Sequence, residues 1–475
     1  MPILKNFAPP TVQSSTAPGE AAKKQTEIVP WNAPGTRLRT NSGKARRGFY
    51  APSVEGAPTT TRQAEILNTA LIGPPTGTKG IVNGRDVLSR TTVAHDPVTA
   101  YNNKPKRDVS SPNVIVMGSV GAGKSSFTKT VLVMRPLLLA DRRVVVFDKK
   151  DQQGEGEYSG VLRKFQAKPI RFNTDGSGTH LNLLDPVIAR GGGVKGQFRL
   201  LNIVTRLGRG DKPLGEWEKE ALRAALHMTL DKYDDVSRTP TLADILPNLG
   251  RVTDQADYRE MSPTARDDLH RAGLSVRWTL NELLEEYAGL LDGETSKEVD
   301  LKGKLTSFDI SQLDDEGPAV PVVMAIGHQW LLGRLRGERG PATTVVYEEG
   351  WHLIGGPSAQ LIKSNQKLAR GLGISNVFVM HKGTDIPPNS PGIAIIQEAQ
   401  SIYVFRQDRP EDALWCTRTF GFAPETTKTI ETLGDGHYIF KYGSHPETHV
   451  QHIRSPWEVS VTNTDEGLAG TAKTA

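Results

Sequence analysis

Apolar residues along this chain fall into two patterns. Seven short runs are apolar or β-branched almost throughout: residues 114–117, 143–147, 170–172, 307–310, 344–347, 376–380 and 402–405. Such runs, bounded by Pro, Gly or polar residues, predict strands covered on both faces, as in a parallel sheet. Between about residues 188 and 300 the texture changes. Residues 197–206, 217–232, 242–249 and 263–291 repeat apolar positions at three- and four-residue spacing, which predicts helices. Thr241 with Asp244 three residues later reads as a capping box that opens one of them. The run at 114–117, a helical stretch at 124–139 and the run at 143–147 make a βαβ unit. The predicted fold is α/β, with a mainly parallel sheet and an all-helical insertion.

The ends of the chain lack either period. Residues 1–62 are rich in Pro, Gly, Ala, Ser and Thr and predict a disordered arm, and 461–475 predict a small polar tail. Between them lie a lead-in and first core segment at 63–187, the helical insertion at 188–300 and a second core segment at 301–460.

Composition narrows the function classes. The chain has 475 residues, 37% hydrophobic and 23% charged, which is ordinary for a soluble globular protein. No apolar run approaches the roughly 20 residues that span a bilayer, and no secretory leader opens the sequence. A single cysteine, Cys416, has no partner for an internal disulfide. These features predict a cytoplasmic protein that does not itself insert in a membrane and is attached to one, if at all, through partners. The net charge of +5 is uneven: residues 1–112 hold 15 Lys/Arg against 7 Asp/Glu, whereas the rest hold 43 against 46. The basic excess belongs to the arm, which reads either as a solvated tail or as a contact for nucleic acid or anionic lipid.

The sharpest chemical signal is Gly118, Ser119, Val120, Gly121, Ala122, Gly123, Lys124 and Ser125, followed by Ser126. This order fits G-x-x-x-x-G-K-[ST] between a predicted strand and a predicted helix. Amides can surround a triphosphate only where the loop curls without side chains in the way, so glycines recur. Lys124 would reach the outer phosphates, and the Ser125 hydroxyl would bind Mg²⁺, which keeps most of its water. ATP and Mg²⁺ are thus the expected ligands. The β-rich run ending at Tyr347 is followed by Glu348 and Glu349. Glu348 is the candidate for holding the metal through water, and Glu349 for polarising the attacking water. Asp148 and His381 close two further predicted strands, whose ends converge on the ligand crevice of such sheets. His381 would lie near the γ-phosphate. Arg370 and Arg406 are candidates for the arginine that a neighbouring subunit supplies in many such sites. His445, His449 and His452 lie close in sequence, but without a nearby cysteine they make a poor zinc set.

Taken in order, several segments resemble the ATPases of conjugative type IV secretion systems, within the FtsK/HerA-like motor superfamily. They are His95 to Tyr101, the phosphate loop, Val145 to Asp148 with Glu157 and Tyr158, Leu181 to Asp185, Ser307 to Ser311, Glu348 to Trp351, and Leu368 to Ile374. The resemblance covers about residues 90–455. It implies a RecA-like P-loop core, a homo-hexamer, membrane-embedded secretion or conjugation channel components as partners, and a peripheral place at the inner face of the membrane. Coupled transport of protein or DNA follows from the same likeness. Glu348 stands where the family has aspartate, and His381 where it has a glutamine sensor. Residues 1–90 are too short for the family's usual N-terminal docking domain. Two other readings stand beside this one: a hexameric DNA translocase of the coupling-protein, chromosome-pump or phage-packaging type, and a nucleotide-gated scaffold. A complete hydrolytic set of Lys124, Glu348 and Glu349 argues against the scaffold.

Overall fold

The computed structural model describes residues 79–103, 107–173, 178–338 and 340–462, together with the strand pair of Arg39–Thr40 and Pro52–Ser53. That pair falls in one compact unit, Met1–Pro75 with Leu88–Arg90, and the elements below in a second, Thr76–Val87 with Thr91–Ala475. The predicted disordered arm and tail lie outside the described residues, apart from this strand pair and Val461 and Thr462, which end a helix.

One sheet of 11 strands organises the second unit. In chain order its strands are β1 (Val82–Asp86), β2 (Thr92–Ala94), β3 (Val114–Met117), β4 (Arg142–Asp148), β5 (Pro169–Arg171) and β6 (Leu305–Asp309). They continue as β7 (Ala342–Tyr347), β8 (Ile374–Met380), β9 (Ser401–Phe405), β10 (His437–Tyr442) and β11 (Thr448–His452). The spatial order is β2-β1-β11-β10-β9-β3-β8-β7-β4-β6-β5. From β9 to β5 every pairing is parallel, and these are the runs read from the sequence. The other strands add antiparallel beyond β9.

The principal helices are α1, built as Lys124–Phe127, a π-helical Thr128–Met134 and Arg135–Leu137; α2 (Ser159–Lys164); α3 (Pro186–Leu207); α4 (Glu216–Tyr233); α5 (Leu242–Leu249); and α6 (Pro263–Glu286). They continue as α7 (Ala319–Gly337), α8 (Ser358–Gly371) and α9 (Pro456–Thr462). Helices α3 to α6 form the insertion. The capping box at α5 is present, with Thr241 N donating to Asp244 Oδ2 at 2.7 Å. Helix α3 breaks at Gly193, whose φ of +64° and ψ of −167° are not helical. Its first turn lies so close to α7 that a Cβ at Gly333 would meet the Val187 carbonyl oxygen at 1.8 Å. No described helix is long and apolar enough to cross a membrane.

Alternation along the parallel strands feeds two cores. Ile115, Met117, Val145, Phe147, Val345, Tyr347, Phe378 and Met380 face the insertion and α7. Val114, Val116, Val144, Val146, Val346, Val377 and Val379 face α1 and α2. Burial of both faces is why these strands read as unbroken apolar runs. On the insertion side an aromatic ladder crosses the sheet: Phe172, Phe308, Phe147, Tyr347 and Phe378 stack with centroids 5.8, 4.8, 4.9 and 5.3 Å apart. Phe308 pairs with Phe147, and Phe147 with Tyr347, in strand register. The next residue along is Asp309, Asp148 or Glu348, so the ladder's register aligns these carboxylates at the sheet's C-terminal edge.

Candidate nucleotide site

The phosphate loop leaves β3 at Gly118 and enters α1 at Lys124. Gly121 and Gly123 have φ of +77° and +99°, left-handed values that a side chain would oppose. A Cβ at Gly118 would lie 2.5 Å from that of Phe405. The loop is tied to the neighbouring strand ends: Ser119 N donates to the Arg406 carbonyl at 2.8 Å, Asp408 N to Ser119 Oγ at 2.9 Å, and Gly436 N to the Ala122 carbonyl at 3.0 Å. Lys124 is buried and its ammonium donates to the Gly118 carbonyl, to the Ser119 carbonyl at 2.9 Å and to His381 Nδ1 at 3.2 Å. Burial lowers its pKa to about 8, against the pull of Glu349 and Glu348.

Two strands away, β7 delivers the paired glutamates. Glu348 is buried, and the Tyr158 hydroxyl donates to its Oε1 at 2.5 Å. Burial, with Glu157 close by, raises the Glu348 pKa to about 7, and the Tyr158 hydrogen bond pulls the other way. Glu349 has φ of +50°, an uncommon value for a residue with a side chain. Its Oε1 lies 2.9 Å from His381 Nε2, and its Oε2 accepts from Trp351 Nε1 at 3.1 Å. An ammonium can only donate, so His381 Nδ1 accepts from Lys124 and Nε2 carries the hydrogen given to Glu349. Burial opposes the Glu349 charge, but the bonds from His381 and Trp351 and the charge of Lys124 hold its pKa below the usual value.

Behind these residues is a polar layer whose pairings, and whose lysines Lys129 and Lys150, sequence reasoning missed. Lys129 on α1 meets Glu157 at 3.2 Å with both side chains only 1% exposed, and Lys150 reaches the same carboxylate at 3.5 Å. Asp148 accepts from Tyr158 N at 2.8 Å, and burial together with Asp309 drives its pKa well up. Its place in the sequence fits the strand-end reading, but it bonds the Tyr158 backbone behind the cavity. Glu157 and Tyr158 were flagged only by family resemblance. Nothing in their spacing marks a phenol that meets a carboxylate 190 positions away.

Lys124, Glu349 and His381 come together, with Glu348 beside them, but the two candidate arginines do not join them. Arg370 ends α8 and its Nη1 donates to the Ser110 carbonyl at 3.4 Å, near the start of β3 and so at the opposite end of that strand from the loop. Arg406 borders the loop but pairs with Asp408 at 3.1 Å and Asp435 at 2.8 Å. The histidines near the C-terminus go separate ways: His445 stacks on Tyr442, His449 bonds His437 at 3.0 Å, and His452 bonds Thr130 at 2.8 Å. A cavity of about 320 Å³ holds Val120, Gly121, Gly123, Lys124, Ser125 and Ser126, with His381 and Lys150 at one flank and Asp435, Gly436, His452, Arg454 and Thr462 at the other. A larger one, of about 720 Å³, lies beyond Glu349 and His381 and is lined by Trp351, His352, Lys149 and Asp315. The left-handed glycine cradle, the buried ammonium and the Ser125 hydroxyl fit a magnesium-bound triphosphate.

No family model matches the sequence, and no curated protein matches it. Solved structures do match. VirB4 of Thermoanaerobacter pseudethanolicus aligns with a TM-score of 0.65 at 19% identity, over 82% of this chain and 100% of that one. The bacterial conjugative coupling protein TrwBdeltaN70 in its unbound monoclinic form aligns with a TM-score of 0.52 at 16% identity, over 81% and 95%. Plasmid coupling protein TrwB in complex with ADP and Mg²⁺ gives 0.52 and 16%, over 81% and 96%. This chain thus has the fold of VirB4 and TrwB, an α/β P-loop core with a mainly parallel sheet and a helical insertion.

Proposed function

We propose that this chain is an ATP-hydrolysing motor that energises conjugative or type IV secretion transport of DNA or protein. The reading rests on the unbroken line of hydrogen bonds from Lys124 through His381 to Glu349, which ties the phosphate loop to the end of β7. In it, the loop amides and Lys124 bind and orient the triphosphate. Ser125, with Glu348 acting through water, would hold Mg²⁺, whose charge neutralises the phosphates. Glu349 polarises the attacking water, and His381 fixes the orientation of its carboxylate.

The ADP and Mg²⁺ bound by TrwB support ATP and Mg²⁺ as ligands here. The fold shared with VirB4 and a conjugative coupling protein supports a transport motor. The resemblance in sequence extends the proposal to a homo-hexamer working against membrane channel components at the inner face of the membrane. A DNA translocase would use the same site. The near balance of 43 Lys/Arg and 46 Asp/Glu beyond residue 112 favours the secretion reading, because threading a duplex calls for a positive lining. Steady-state turnover and equilibrium MgATP binding of two variants test the proposal. Lys124→Ala should lose both binding and turnover. Glu349→Gln should bind MgATP within a few-fold of the parent while kcat falls by about two to three orders of magnitude. Parental turnover in Lys124→Ala would overturn the assignment.

A further inference from the structure

We propose that the far flank of the phosphate cavity, made by Arg454, His452 and the turn at Asp435 and Gly436, binds the nucleoside half of the nucleotide, with Arg454 stacking on the base. This inference rests on reading the loop as a triphosphate cradle. The sheet order gives the direction. His381 and Glu349 follow β8 and β7, on one side of β3, whereas Gly436 precedes β10 and Arg454 follows β11, on the other. A triphosphate whose terminal phosphate faces His381 and Glu349 must send its sugar and base the opposite way. The cavity extends that way, past Ser126 to Arg454.

The side chains there suit that occupant. Among the described residues no carboxylate lies within ion-pair distance of Arg454, whose Nη1 instead donates to Thr462 Oγ1 at 3.1 Å. A guanidinium fixed at one edge keeps a planar face for an aromatic ring, an interaction that an ammonium does not reproduce. His452 supplies an acceptor. Thr130 Oγ1 gives its hydrogen to the Ser126 carbonyl at 2.8 Å, so it accepts from His452 Nε2 at 2.8 Å and leaves Nδ1 as a lone pair. Burial, with Arg135 and Arg454 near, lowers the His452 pKa to about 3 and keeps the ring neutral. The flank is also braced against the phosphate loop's own helix. Arg135 on α1 grips Glu458 with two bonds of 2.8 and 3.1 Å and the Ile453 carbonyl at 2.6 Å, which holds the segment carrying Arg454 in place. A surface arginine would need no such scaffold.

The test compares two ligands on the full chain by calorimetry: MgATP, and magnesium tripolyphosphate, which has the phosphates but no nucleoside. Arg454→Ala should weaken MgATP about five- to tenfold and leave tripolyphosphate within about twofold. Arg454→Lys keeps the charge without the plane and should lose most of the same factor, which guards against a variant that fails to fold. Equal weakening of both ligands would place Arg454 on the phosphates and overturn the proposal, as would unchanged MgATP affinity in both variants. Lys124→Ala separates this from the underlying reading. It should weaken both ligands, and if it weakens neither, the cradle assignment fails whatever Arg454 does.

Discussion

Burial shifts Lys124 and Glu348 toward neutrality from opposite sides, and in the proposed mechanism the pair sets a pH window. Glu348 must be a carboxylate to hold metal through water, and burial puts its pKa at about 7, so activity rises with pH through that value. Lys124 must be an ammonium to bind phosphate, and burial puts its pKa at about 8, so activity falls above it. The profile of kcat/KM, which reports the free enzyme, should be a narrow bell between these limits. Tyr158→Phe removes a hydrogen bond that favours the Glu348 carboxylate. Its acid limb should move up by about half to one pH unit, with the basic limb unmoved. Steady-state rates from about pH 5 to about pH 10 decide it. An acid limb that stays put in Tyr158→Phe would remove Tyr158 from the positioning of Glu348. Lys124, Glu348, Glu349 and His381 could be picked out because each sits at a strand end or in a loop motif. Tyr158 is reached only through family resemblance and Lys129 not at all, because their partners are set by how α1 and α2 pack on the sheet, which no local spacing encodes.

At the scale of elements, the aromatic ladder carries the register on which the acidic row depends. Phe308 is fully buried, stacked between Phe147 and Phe172 and met edge-on by Trp330. Phe308→Ala removes both stacks and leaves a cavity, at a cost of about 3–5 kcal/mol. The thermal midpoint should drop by roughly 4–6 °C, and Phe308→Leu, which refills much of the volume, should drop it about half as far. A parental midpoint for Phe308→Ala would mean that the ladder is ornamental. The parallel strands were legible because burial on both faces demands unbroken apolar runs. The antiparallel strands beyond β9 were not: β1 reads Val-Asn-Gly-Arg-Asp and β11 Thr-His-Val-Gln-His, with too few apolar positions to show a period. Pairing with neighbours, β11 against β10 and β1 against β11, and not their own composition, makes them strands. The π-helical middle of α1 was equally silent, since one extra residue per turn leaves no mark in an apolar stretch such as Thr128–Met134.

The whole molecule raises a question of charge. Hydrolysis builds negative charge on the γ-phosphate oxygens, and an arginine supplied there is worth about three to five orders of magnitude in kcat. Among the described residues, Arg454 is the one arginine lining the phosphate cavity, and it lies on the flank away from Glu349. Lysines alone supply the cations of the larger cavity beyond Glu349. Arg406 is held by two aspartates, and Arg370 sits at the other end of β3. In the proposed mechanism a single chain would therefore be a weak hydrolase, and a second copy docked against Glu349 would complete it, with Arg370 as the candidate donor. The hexamer is an expectation from family resemblance and the arginine donor one from the usual chemistry of such sites, because no pattern within one chain reports which of its surfaces meets another copy. Turnover per chain should rise steeply with protein concentration and then level off. Arg370→Ala should flatten that rise, cutting plateau kcat by at least about a hundredfold with MgATP affinity unchanged. Duplex DNA should add little at moderate salt, given the charge balance beyond residue 112, whereas strong salt-sensitive stimulation would favour the translocase. Turnover that is the same per chain at every concentration would mean that each copy is complete in itself, and the role given to Arg370 would lapse with it.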